Sequence, residues 1–336
     1  MERLETFDAF EGHHFLTKDR AEHPLDAHVV MREADALFDV DYPPSGYVRT
    51  VDYPGHREKT TTTPAVKDGV NKGKARHKYV VRTDTGEVLG LHSHTYAETD
   101  GYSFIADMAE EMFPESTTSC TVFGNGEKIA VTQDLVNPVD LGDGDWIQSQ
   151  VCWITSYNGV WPTAVYDLTR RLFCQNQLVG QMPLVRVKHT KNHDHLLEMR
   201  IRILEGSIAR AKTVSAMARV LRDQEYSAAQ FTELVKQLLP TGDQMTERQK
   251  ENVYNRRHFC QSAWQREVDK FGVADPIGRP THIGNRWLAY NAVQGAEQHR
   301  INGRVRGGTF SRDRALEKAI DQKTPLAEKA MALLSA

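Results

Sequence analysis

Cysteine is scarce in this sequence, and its cysteines lie far apart. The four are Cys120, Cys152, Cys174 and Cys260, and no two of them form a CxxC pair. This spacing argues against a zinc ribbon and against a disulfide framework, and it suits a reducing compartment. We therefore expect a protein of the cytoplasm.

Long apolar runs are also absent. No window approaches the roughly 18 consecutive apolar residues of a membrane helix, so no membrane span is expected. The first residues, MERLE, lack the basic and apolar regions of a signal peptide. A hydrophobic content of 40% with 26% charged residues instead fits a globular protein that buries a core.

The common catalytic fingerprints are missing as well. The sequence has no P-loop, no GxSxG or HExxH motif and no Rossmann fingerprint. Gly124-Asn125-Gly126 is typical of a hairpin turn. It is not a phosphate-binding loop, because no Gly-Lys-Ser/Thr follows it. We therefore expect no cofactor, and a non-catalytic role is favoured over an enzymatic one.

Charge of one sign, by contrast, is concentrated in blocks. The net charge is only −3, yet residues 98–145 hold eleven acids and one base. Residues 161–222 hold eleven bases and four acids, and residues 248–314 hold thirteen bases and six acids. Such blocks can pair within one chain or between identical subunits, so a homo-oligomer is expected, and the basic blocks favour an anionic partner.

The pattern of elements predicts an α+β protein, with antiparallel β-hairpins and one helix in the first half and a helical second half. Turn signals place hairpins at 78–92, 119–133 and 146–166, with an amphipathic helix at 100–113 between the first two. Further helices are predicted at 26–38, 172–179, 205–226, 228–239, 246–271, 281–300 and 311–334. We divide the chain into a polar segment with a basic loop (1–77), an α+β core with a basic edge (78–240) and a helical region (241–336).

Several segments resemble one phage- and plasmid-borne family, catalogued as domain of unknown function 932. Residues 171–178 (RLFCQNQL) are similar to its RVVCxNTL signature, and residues 186–190 (RVKHT) are similar to the segment that follows it. Residues 79–91 resemble its hairpin, residues 287–300 its WGxxNA(V/I)…H segment, and residues 326–334 its ending. Lys188 stands where the family has arginine, and residues 1–70 lack its usual glycine-rich start.

The resemblance implies a context more than a reaction. Carriage by phages and plasmids favours a role in DNA replication, recombination or host takeover. In outline, the hairpin–helix–hairpin core is also similar to phage single-strand annealing proteins of the Rad/Red type, which form rings that hold single-stranded DNA in a positive groove.

The candidate nucleic-acid contacts come from the first basic block. In Arg186-Val-Lys188 and in Arg200-Ile-Arg202, strand alternation would place both charges on one face, where they can follow a phosphate backbone. Bases could then stack on Trp153, Tyr157, Trp161 and Tyr166. The candidate residues are Arg170, Arg171, Arg186, Lys188, His189, Lys191, Arg200 and Arg202.

Four alternatives stay open at this point. The aromatic residues can be core while the arginines, Arg171 among them, pair with the acidic block. His189, His193 and His195, with Asp194, can instead serve a metal-dependent nuclease or hydrolase, as can the pair His92/His94, although Lys188 and Lys191 would repel a cation. Cys174 can be a nucleophile with His189 and Asn176, or the chain can be a host-directed interaction protein.

The sequence therefore favours a phage-type protein that binds single-stranded DNA in annealing, recombination or replication. It would act without a cofactor or metal, as a homo-oligomer in the cytoplasm, which is the host cytoplasm if a phage encodes it.

Overall fold

The computed structural model describes most of residues 77–301 and shorter parts on either side. The described residues are 26–43, 49–51, 59–61, 77–93, 95–96, 98–99, 101–114, 116–135, 138–172, 177–179, 184–187, 200–274, 280–301, 317–318, 321 and 324–335. These ranges contain seven α-helices and fifteen strands, and the strands pair antiparallel. The predicted α+β class is confirmed.

A small three-stranded sheet follows the first helix. Helix α1 (Ala27–Glu33) begins at Asp26, whose carboxylate accepts a hydrogen bond from the His28 amide at 2.6 Å. The sheet has the order β1 (Val40–Asp41), β4 (His77–Arg82), β5 (Val88–Ser93), while β2 (Arg49–Val51) and β3 (Lys59–Thr61) form a separate pair. The hairpin predicted at 78–92 is confirmed, with Gly86 at φ 71° in its turn.

The central sheet follows helix α2 (Ser103–Met112). Its five main strands are β6 (Thr117–Phe123), β7 (Lys128–Asp134), β9 (Trp146–Ser156), β10 (Thr163–Arg171) and β11 (Gln177–Val179), in the order β11-β10-β9-β7-β6. Two short strands join it, β8 (Val139–Asp140) on β9 and β12 (Val185–Val187) on β10. The other two predicted hairpins are thus confirmed, and the second strand of the last one continues to Arg171.

Strand alternation gives this sheet two different faces. One face packs Val131, Val151 and Trp153 against helices α1 and α2 in a buried core. The opposite face carries Ala164, Tyr166, Leu168 and Arg170 of β10, and we call it the Tyr166 face. Its apolar cluster is smaller, so polar side chains occupy more of it.

The second half is helical and forms its own core. It contains α3 (Arg200–Arg222), α4 (Ala228–Leu238), α5 (Glu247–Phe271), α6 (Arg286–Ala296), a π-helical turn (Glu297–Ile301) and α7 (Pro325–Leu334). Strands β13 (Glu225–Ser227), β15 (Pro280–Asn285) and β14 (Val273–Ala274) form a small sheet beside them. Phe231 of α4 stacks on Trp264 of α5 with ring centroids 4.7 Å apart, so side chains pack across the predicted domain boundary at residue 240. The division into three regions stays a prediction. None of the described helices is both long and apolar enough to cross a membrane.

Glu225 and Tyr226, predicted at the end of a helix, belong to strand β13 instead. Two further element predictions are wrong. Residues 177–179 form strand β11 instead of the end of a helix, because they pair with Leu168–Arg170 of β10. Residues 280–285 form strand β15 before α6 begins, and the Asn285 side chain caps that helix by accepting from the Leu288 amide at 2.9 Å. In both places tertiary pairing overrides a local apolar pattern that fits a helix equally well.

Candidate nucleic-acid interface

Two arginines lie on the Tyr166 face, one at each end of strand β10. Arg170 lies near the end of β10, four residues after Tyr166, and therefore on the same side of the strand. Arg186 of strand β12 pairs in register with Ala164, which places it on this side as well. Cation, aromatic ring and cation thus follow one another on one face, across the neighbouring strands β12 and β10.

The three side chains differ in how open they are. Arg186 is exposed, while Tyr166 and Arg170 are half-buried. Burial raises the pKa of Tyr166. The nearby positive charge of Arg186 lowers this pKa, and the negative charge of the Asp321 carboxylate raises it. Tyr166 is therefore a neutral phenol at physiological pH, with an aromatic ring beside a solvent-exposed cation.

A third cation, Lys128, lies on the same face, at the turn end of the sheet. Lys128 pairs in register with Ser156, and its Nζ lies 5.0 Å from the centroid of the Trp161 ring and 5.5 Å from that of Phe123. The Phe123 and Trp161 rings meet edge to face with centroids 5.1 Å apart. Lysine over indole and phenyl rings is a stabilising cation–π arrangement, and it holds the ammonium group close to the sheet.

Buried polar groups fill the rest of the Tyr166 face. Ser119 and Thr132 join their hydroxyls at 2.8 Å, and the Gln150 amide donates to Asp134 Oδ1 at 2.6 Å. Gln148 pairs in register with Arg170 and is 3% exposed. Because buried polar groups need partners, these side chains form their hydrogen bonds within the sheet. The Tyr166 face is therefore polar.

Arg171 lies on the opposite face and is buried. Its guanidinium donates to both carboxylate oxygens of Asp145, at 2.6 and 2.9 Å, and also to Glu267. Its side chain is 2% exposed, and its Cζ lies 4.8 Å from the centroid of Phe271. Arg171 is therefore buried in the interior of the protein, and we leave it out of the proposed surface.

The pairing of bases with the acidic block is confirmed inside one chain. Besides Arg171, Arg222 of helix α3 donates to Asp143 at 2.7 Å and lies 3.4 Å from Asp145. Burial raises the pKa of Glu267, although Arg171 opposes the shift. Pairing of Arg171 with the acidic block was one open alternative, but no local pattern indicates that Asp145 and Glu267 meet the same arginine, since 26 and 96 positions separate them from it.

The stacking hypothesis is wrong for three of the four aromatic residues. Trp153 and Tyr157 are 0% exposed and Trp161 is 4% exposed, so none of them offers a ring face to a base. Tyr157 stacks instead on Tyr102 with centroids 4.5 Å apart, and Trp153 donates its indole N–H to Gln133 at 2.6 Å. Tyr166 alone keeps a partly open ring.

Arg200 and Arg202 belong to a helix, not to a strand. They lie in the first turn of α3, where residues two apart point in different directions, so the expected alternation of their charges is wrong. Helix α3 carries six bases and one acid, and its exposed residues include Lys212 and Arg219. It packs through Ile203 on the face opposite to Tyr166 and forms a second basic surface.

The remaining candidates lie outside the described residues. They are Lys188, His189 and Lys191, the metal candidates His94, His193, Asp194 and His195, and the pair Cys174 and Asn176. His92 is described. Its ring stacks on that of Tyr96 with centroids 3.9 Å apart, and its Nε2 is hydrogen-bonded to the carbonyl oxygen of Tyr157. No three His, Cys, Asp or Glu side chains in the described ranges are grouped as metal ligands.

Comparison with known proteins identifies a family but no activity. A family model described as Domain of unknown function (DUF932) matches residues 88–323. No curated protein and no solved structure matches the chain. The matched region includes Arg171 and Trp287, which both donate to the Asp145 carboxylate and so join two of the segments on which the resemblance was based. The chain belongs to the DUF932 family.

Proposed function

We propose that the chain binds nucleic acid along the Tyr166 face, with single-stranded DNA favoured, and that it acts without catalysis. The observation that carries the proposal is the row formed by Arg186, Tyr166 and Arg170 on one side of the central sheet. Ala164, beside Arg186, and Arg170 are six residues apart, roughly 20 Å along an extended strand. A row of this length can contact several phosphates.

The chemistry of the row suits a single strand better than a duplex. Guanidinium groups bind phosphate through two parallel hydrogen bonds, and a phenol ring stacks on bases of any sequence. A paired duplex hides its bases from such a ring. Binding through phosphates releases counterions, so affinity should fall steeply with salt.

The proposed setting is phage-type recombination or replication in a cytoplasm, with the chain holding a strand for pairing or copying. The buried thiols Cys120, Cys152 and Cys260 suit a reducing compartment. We further propose a homo-oligomer, in which rows from several subunits would form a longer track. Light scattering with and without single-stranded DNA tests that part independently.

The direct test is a fluorescence anisotropy titration with labelled oligothymidylate of about 30 nucleotides, compared with a matched duplex and an RNA. Tight binding at roughly 50 mM salt that weakens strongly towards 200 mM is expected, with oligothymidylate bound best. No binding to any of the three at low salt would refute the proposal.

A further inference from the structure

Two carboxylates from the far end of the chain lie on the Lys128 end of the Tyr166 face. Glu317 pairs with the Lys128 ammonium, and Asp321 Oδ1 accepts the Trp161 indole N–H at 2.9 Å. The two acids are four residues apart in sequence, and some 160 to 189 positions separate them from their partners. Neither contact is therefore a by-product of chain proximity.

The pair is well enclosed. The Lys128 side chain is 14% exposed and that of Glu317 33% exposed. The Lys128 ammonium lies over two aromatic rings, so an anion can approach it only from the remaining sides. Asp321 also acts on Tyr166, because its negative charge contributes to raising the pKa of that phenol.

The hydrogen-bond donors of Lys128 and Trp161 are of the kind that bind the oxygen atoms of a phosphodiester. An ammonium group and an indole N–H each donate to an anionic oxygen, and neither distinguishes a carboxylate from a phosphate. Exposed Arg186 adds a third donor near Tyr166. Two carboxylates four residues apart present two negative charges to these donors, as neighbouring phosphates do.

We propose that Lys128 and Trp161 form a phosphate-binding site for the nucleic-acid strand, and that Glu317 and Asp321 occupy this site in the free protein. The strand and the two carboxylates then compete for the same donors, so the acids lower the affinity for nucleic acid. This inference rests on the proposed function and adds to it the residues that regulate binding.

The test is anisotropy with labelled oligothymidylate and a Glu317→Gln/Asp321→Asn double variant. We expect this variant to bind about threefold to tenfold more tightly than the unaltered chain, with a steeper dependence on salt, because phosphates replace the removed carboxylates. The matched control, Glu225→Gln/Asp243→Asn, removes two exposed acids away from the face and changes the net charge equally. It should bind at most about twofold more tightly.

A third variant assigns the gain to the site. Adding Lys128→Gln to Glu317→Gln/Asp321→Asn should remove most of the gain, while thermal unfolding checks that all variants fold. Equal affinities of the two double variants, or a gain that persists without Lys128, would overturn the inference although binding itself remains. Absence of binding by every form would overturn the proposed function, and the inference with it.

Discussion

Trp287 and Arg171 share one buried carboxylate. The Trp287 indole N–H donates to Asp145 Oδ2 at 3.0 Å, and Arg171 binds both oxygens of the same group. Asp145 is 0% exposed, and these two partners come from strand β10 and helix α6. This carboxylate therefore joins the central sheet to the helical half of the chain.

Replacing Asp145 should destabilise the fold strongly. The substitution Asp145→Asn leaves the buried Arg171 with one carboxylate instead of two, and breaking a buried ion pair on one side costs about 3–5 kcal/mol. Denaturant unfolding followed by circular dichroism measures the loss. Asp143→Asn is the control in the same loop: its carboxylate pairs with Arg222 but is 79% exposed, so it should cost below about 1 kcal/mol. Similar stabilities of the two variants would contradict the role given to Asp145.

Gly90 should not tolerate even a methyl group. A Cβ at this position would lie 1.9 Å from the carbonyl oxygen of Tyr157, where strand β5 approaches the turn between β9 and β10. Gly90→Ala must therefore move one backbone segment, at a cost of about 1–3 kcal/mol. Gly242→Ala is the matched control, because nothing lies within 4 Å of its Cβ position. A melting temperature equal to that of the control would show that the two segments are not packed in this way.

Glu297 should make stability depend on pH. Its carboxylate accepts the amides of Leu326 at 3.1 Å and Ala327 at 2.8 Å, yet burial raises its pKa above the ordinary value of 4.5. The native state therefore holds this proton more tightly than the unfolded chain does. The resulting stabilisation is complete below pH 4.5 and is lost as the pH rises through the raised native value.

Glu297→Gln removes this titration and keeps an acceptor for one amide. The free energy of unfolding should then depend less on pH above 4.5 than it does in the unaltered chain. Urea unfolding at stepped pH values measures the slopes, with the exposed Glu233→Gln as control. Identical slopes in all three proteins would exclude Glu297 as the source.

Local turn chemistry explains why the first half could be predicted from the sequence. The turn glycines Gly86, Gly124, Gly126 and Gly159 all have positive φ, a backbone conformation that glycine adopts without strain. The alternating segment around Arg186, ambiguous from the sequence alone, also forms a strand. Such signals act within a few residues, so they determine hairpins reliably.

The site depended on contacts that no local pattern encodes. Arg170 and Arg171 are adjacent and chemically identical, yet one lies on the polar face while the other is buried against Asp145. Strand register places Lys128 on the Tyr166 face, and the contacts of Lys128 and Trp161 with Glu317 and Asp321 identify them as a candidate site. Only the packing of distant segments decides between such neighbours, which is why the predicted set needed revision.

The central claim is that the Tyr166 face binds nucleic acid, and charge reversal at Arg186 tests it most directly. In anisotropy titrations with labelled oligothymidylate, Arg186→Glu should weaken binding by about tenfold or more and reduce the salt slope by about one. Lys212→Glu makes the same charge change on exposed helix α3, on the other side of the sheet, and should weaken binding far less. Equal losses in both variants, or a larger loss with Lys212→Glu, would contradict the assignment of the Tyr166 face.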